Sequence, residues 1–140
     1  MDNTTLIALL KNNQLRDTQP RRMVIAALEK NKKGSSPYDI QKWIAKKGNA
    51  INTVTVYRIL EAFEKIGIVH KHPCSGQFTL CSLPHQKGHH GFLHCHSCGT
   101  IDEFCSEDLC KVENSIAKKA RFTPSSHMSE IVGLCFACAS

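Results

Sequence analysis

Apolar positions along the chain recur first at helical and then at strand spacing. After a leading segment around Thr4 to Asn13, Pro20 suits a first helical turn, and Val24, Ile25 and Leu28 supply one apolar face. Gly34-Ser35-Ser36-Pro37 interrupts the pattern. Ser36 is a good N-cap, Pro37 fits the first helical position and Asp39 complements the helix dipole, with Ile40, Trp43 and Ile44 at helical spacing until Gly48. The next helix is the clearest. From a cap at Asn52 or Thr53, Val56, Ile59, Leu60, Phe63 and Ile66 form one stripe, Val54, Arg58, Glu61 and Lys65 lie opposite, and Gly67 stops it. Ile68, Val69 and His70 to His72 then read as a strand, Cys74-Ser75-Gly76 as a turn, and Gln77 to Cys81 as its hairpin partner. Three helices and a two-stranded hairpin make the winged-helix layout, in which the third helix enters the major groove of DNA and the hairpin lies along the backbone.

A change of texture follows. Ser82 to Gly91, with Pro84, two glycines and three histidines, reads as a hinge. Beyond it, Phe92 to Cys95 and Thr100 to Phe104 look like strands, Leu109, Val112, Ile116 and Ala120 mark a helix, and Ser129 to Leu134 is a last strand. The expected organisation is α+β: a winged-helix DNA-binding domain over 1–81, a hinge over 82–91 and a small α/β domain over 92–140.

Charge sharpens the division. The formal net charge is +6, but Met1 to Pro73 holds 13 Lys and Arg against 6 Asp and Glu, whereas Cys74 to Ser140 holds 5 against 6. A basic half suits a polyanion, because neutralising phosphates is the main electrostatic use of clustered Lys and Arg.

Cysteines carry the strongest chemical signal. Cys95-His96-Ser97-Cys98 and Cys135-Phe136-Ala137-Cys138 are two knuckles of matching spacing, and four thiolates so placed close a tetrahedral zinc site. The long separation between the knuckles calls for helix-containing structure between them. No apolar run approaches a membrane span, and the N-terminus lacks the features of an export signal, so the eight cysteines are expected to serve metal or remain free thiols in a reducing cytoplasm. A thiol oxidoreductase also uses Cys-x-x-Cys, but needs one such pair at a helix N-terminus with a depressed thiol pKa rather than two pairs matched as ligands. The reading is therefore not an enzyme.

Thr53-Val54-Thr55-Val56-Tyr57-Arg58 with its striped helix, Gly67-Ile68-Val69-His70, Cys95-x-x-Cys98-Gly99 and Cys135-x-x-Cys138 together resemble the ferric uptake regulator superfamily of bacterial metalloregulators, over nearly the whole chain. Within it, His70, Phe78-Thr79-Leu80-Cys81 and Gly133-Leu134-Cys135 are most similar to the zinc uptake regulator branch. The resemblance implies a C-terminal dimerisation domain and a homodimer that represses transcription from palindromic double-stranded operator DNA, controlling zinc uptake genes when metal is bound. It places regulatory zinc ligands on His70, Cys81, His89 and Glu103, so that at least two zinc ions per chain are expected, one structural and one regulatory. A soft thiolate at Cys81 favours zinc over Fe²⁺ or Mn²⁺. The iron branch carries His-His-Asp-His before its first knuckle, where this chain reads His89-His90-Gly91-Phe92. An iron- or peroxide-responsive relative is the alternative. A candidate third site falls on His90, Cys110 and His127. For DNA, the resemblance points to Tyr57 and Arg58 on the recognition helix, Tyr38 at the start of the preceding one, and Arg21, although Thr18-Gln19-Pro20-Arg21 departs from the family's more usual Thr-Pro-Gln-Arg.

Overall fold

A computed structural model describes residues 3–83, 90–125 and 127–140, and the chain divides into two compact units, 1–82 and 83–140. The first unit contains α1 (Asn3–Asn12), α2 (Gln19–Glu29), α3 (Pro37–Lys46), α4 (Thr53–Lys65), β1 (Val69–Lys71) and β2 (Phe78–Leu80). The leading segment is thus a full helix. Its Leu6 and Leu10 join Val24, Leu28, Ile40, Ile44, Val56, Leu60 and Phe63 in one buried cluster.

Local signals set the element ends. Ser36 and Asp39 form a reciprocal capping box on α3, which satisfies two amides that the helix leaves without a partner. On α4 the cap is Asn52, whose Oδ1 accepts the Thr55 amide at 2.7 Å. Gly67, at φ +72, ends α4. The Gly67 amide returns to the Glu64 carbonyl and the Ile68 amide to that of Phe63, which turns the chain into the wing. The wing is a short antiparallel ladder pairing Val69 with Leu80, His70 with Thr79 and Lys71 with Phe78. Two backbone hydrogen bonds between Ser35 and Phe78, 2.9 and 3.0 Å, tie it to the entry of α3. This first unit is a winged helix.

The second unit is a three-stranded sheet with a helix. β3 (His90–Cys95) lies centrally, antiparallel to β4 (Ile101–Cys105) and parallel to β5 (Ser129–Gly133), which the chain reaches through α5 (Glu107–Lys119). The sheet therefore claims His90 and Gly91, which the sequence pattern had assigned to the hinge. A four-residue turn of helix, α6 (Phe136–Ala139), follows β5 and was not anticipated. Ser106 caps α5, but none of that helix's residues is buried, and Val112 and Ile116 of its expected stripe are 56% and 62% exposed. No helix among the described residues is long and apolar enough to cross a membrane.

Candidate metal centres and nucleic-acid face

The second unit brings the four knuckle cysteines together. Cys95 ends β3, Cys98 lies in the turn before β4, Cys135 follows β5 and Cys138 lies in α6, with all four sulfurs within 4.8 Å of one another. Cys98 Sγ and Cys135 Sγ are 3.8 Å apart. Zinc–thiolate bonds of ~2.3 Å in a tetrahedron require sulfur–sulfur edges of about 3.8 Å, so the cage has the dimensions of a structural zinc site.

The thiols are electrostatically unequal. Backbone amides of Cys98 and Cys135, the latter 3.3 Å from Cys95 Sγ, draw the Cys95 thiol down to about 5. A hydrogen bond with the Thr100 hydroxyl, 3.2 Å away, lowers Cys98. At Cys138 the Ser97 hydroxyl lowers the pKa, but the thiols of Cys135 and Cys98 outweigh it and push it up to about 11. Four negative sulfurs cannot share this volume without a cation, and a divalent ion offsets the repulsion.

Each unit also contributes a pair of ligand-type side chains. In the wing, a ring nitrogen of His70 lies within 4.8 Å of Cys81 Sγ. Cys81 is only 5% exposed, and its amide donates to the Ile68 carbonyl at 2.8 Å, directly after the ladder. In the second unit, His90 Nδ1 is 2.5 Å from Glu103 Oε1, and the glutamate side chain is 5% exposed. Strand register explains this pair. His90 faces Cys105 and Phe92 faces Glu103, so His90 and Glu103 are diagonal neighbours on one face of the sheet.

Among the described residues, His90 is thus the imidazole beside Glu103, while His89, the expected ligand, lies outside them. The expected trio of His90, Cys110 and His127 is not assembled. Cys110 Sγ pairs with His127 Nε2 at 3.4 Å, Glu113 lies 3.9 Å from the same nitrogen, and His90 turns to Glu103 instead. Beside His90, the ring of Phe104 covers Gly91 so closely that a Cβ there would lie 2.2 Å from it, and Phe92 is 1% exposed. The two positions that carry Asp and His in the iron-branch run are thus a covered backbone and a core side chain.

The helix-turn-helix of α3 and α4 exposes Tyr38 (62%), Val54 (59%) and Tyr57 (48%), with Arg58 exposed on the same side of α4. Arg21 donates to the Arg16 carbonyl, and Arg22 binds Asp17 in a fork that lowers the Asp17 pKa, chiefly through their hydrogen bond. Arg21 is thus placed at the N-terminal turn of α2 with its guanidinium already engaged. Exposed aromatic and cationic groups on this motif suit stacking against and hydrogen bonding to a duplex.

The ferric uptake regulator family model matches residues 12–132. The ferric uptake regulation protein of Legionella pneumophila is 33% identical over 130 residues, covering 92% of this chain and 95% of that protein. Among solved structures, a zinc uptake regulator complexed with zinc and DNA aligns at TM-score 0.90 and 26% identity, covering 97% of this chain and 91% of that one. The holo form of XcZur aligns at 0.87 and 27% identity, covering 97% and 95%. The ferric uptake regulator of Vibrio cholerae aligns at 0.59 and 28% identity, covering 93% and 99%. With its winged helix and cysteine cage, the chain belongs to the ferric uptake regulator family, metal-responsive regulators of transcription rather than enzymes.

Proposed function

We propose that the protein is a zinc-responsive, sequence-specific repressor that binds a palindromic operator as a homodimer and controls zinc uptake genes from the cytoplasm. The observation that carries the zinc reading is the buried Cys81 thiol beside His70 in the wing. A thiolate among imidazole and carboxylate donors favours Zn²⁺ over the harder Fe²⁺ and Mn²⁺. Gly91 under Phe104 and the buried Phe92 support the same choice, since neither position offers an oxygen or nitrogen donor. The similarity to zinc-bound zinc uptake regulators agrees, while the curated relatives named for ferric uptake keep the iron reading as the rival.

Two sites are assigned. Cys95, Cys98, Cys135 and Cys138 hold a structural zinc. His70 and Cys81 from the wing, with His90 and Glu103 from the sheet, hold a regulatory zinc, for which His90 takes the place first expected of His89. A divalent ion there supplies the charge that lets a buried thiolate and a buried carboxylate coexist. The residues do the rest. The wing carries two ligands on the element next to the recognition helix, so holding the wing biases the DNA-competent state, and by linkage operator DNA tightens regulatory zinc. The exposed apolar side chains of the second unit, among them Leu93, Val112, Ile116, Ile131 and Phe136, fit a second copy of the chain.

The test is operator affinity titrated against buffered free zinc, iron and manganese, in the wild type and in Cys81→Ser. Zinc should restore binding at lower free concentration than iron, and Cys81→Ser should lose one zinc per chain and the response while keeping the other ion. Equal recovery with Fe²⁺, or an unchanged zinc count in Cys81→Ser, would overturn the assignment.

A further inference from the structure

We infer that Val54 reads the 5-methyl group of a thymine in the major groove, an inference that rests on the operator-binding role proposed above. Val54 lies in the first turn of α4, the second helix of the helix-turn-helix, whose N-terminal residues meet base edges in this motif. It is 59% exposed, whereas Val56, Ile59, Leu60 and Phe63 of the same helix are buried in the core. A β-branched side chain at an exposed helical position loses rotamer freedom and helix propensity, and here recovers only part of that by packing within the unit. Its neighbours on the outer face one turn on are Tyr57 and Arg58, so the apolar group is framed by side chains suited to a duplex. Along the major-groove edges of the bases, the thymine methyl is the one apolar group, and aliphatic side chains recognise it by contact. The net positive charge of the first 73 residues makes a duplex the partner that this face fits.

The experiment starts by recovering high-affinity duplexes from a random-sequence pool with the zinc-loaded full chain, then replaces each thymine singly by uracil, which removes only the methyl. At one thymine per half-site, uracil should weaken wild-type binding about fourfold, the value of one buried methyl. Val54→Ala should weaken binding to the thymine duplex by a similar factor and be insensitive to uracil at that position. Alanine is the better helix former, and a thermal melt checks that the variant remains folded. A flat uracil scan in the wild type, or an unchanged uracil effect in Val54→Ala, would overturn the inference while leaving operator binding intact. Recovery of no duplex at all would instead remove the DNA-binding reading and this inference with it.

Discussion

Replacing Gly91 with alanine tests the sheet that presents His90. The backbone of Gly91 is not in the left-handed region, so a strand alanine there would ordinarily stabilise by roughly 0.4–1 kcal/mol through a less flexible unfolded chain. The structure reverses that sign. A Cβ would lie 2.2 Å from Cζ and 2.6 Å from Cε2 of Phe104, the cross-strand partner. Carbon contacts are comfortable near ~3.5 Å, so the ring must retreat by about 1 Å or leave its place over the strand. Overpacking of this kind costs roughly 1–3 kcal/mol. For a unit of this size the melting temperature should fall by about 5–20 °C, read by calorimetry of the zinc-loaded chain. Because Glu103 precedes Phe104 on β4, regulatory zinc should also weaken. In a Phe104→Ala background the alanine at 91 has nothing to strike, so the two substitutions should couple by about 1–2 kcal/mol. A Gly91→Ala protein as stable as the wild type, or one equally destabilised with and without Phe104, would refute the packing argument.

The cysteine cage and the helix caps give three further expectations. Cys98→Ser should abolish the structural zinc and cooperative unfolding of the second unit, measured by metal analysis and thermal melts, while the winged helix keeps its helical circular dichroism. Zinc affinity of the cage should rise with pH. The Cys138 proton, held up to about pH 11, must leave when zinc binds, giving at least about tenfold per unit across neutral pH, whereas the Cys95 proton adds its own dependence only below about pH 5. Chelator competition at several pH values reads the slope, and a flat profile between pH 6 and 9 would contradict it. Ser36→Ala removes the side-chain half of the α3 capping box and should cost about 1 kcal/mol in denaturant unfolding of the first unit.

Much of the first unit was legible because its signals are local: Ser36, Pro37 and Asp39 announce α3, and Gly67 ends α4 with the geometry its residue type favours. The knuckle cysteines were equally plain, since Cys-x-x-Cys spacing marks each pair as a ligand set, and the fold brings the four sulfurs together. What escaped depended on partners distant in sequence. His90 is one of two adjacent ligand types beside a glycine, and only the β3–β4 register places it on the Glu103 face. Gly91 reads as a hinge residue until Phe104 is seen to cover it. The stripe of α5 marks a helix, yet Val112 and Ile116 are exposed, because apolar spacing defines a face without saying what covers it. The α6 turn is too short for periodicity to reveal.

One strand carries residues of both proposed metal sites. β3 begins with His90 and ends with Cys95, a span of about 17 Å at the usual rise per residue. The imidazole proposed to sense zinc is therefore mounted on a rail whose far end carries a cysteine of the cage. On the proposed assignment, filling the cage should help set His90 and Glu103 in register, so Cys98→Ser should also weaken regulatory zinc binding. If the cage fills first, a cell starved to the point where new cages stay empty would accumulate regulators that are unassembled rather than merely unswitched.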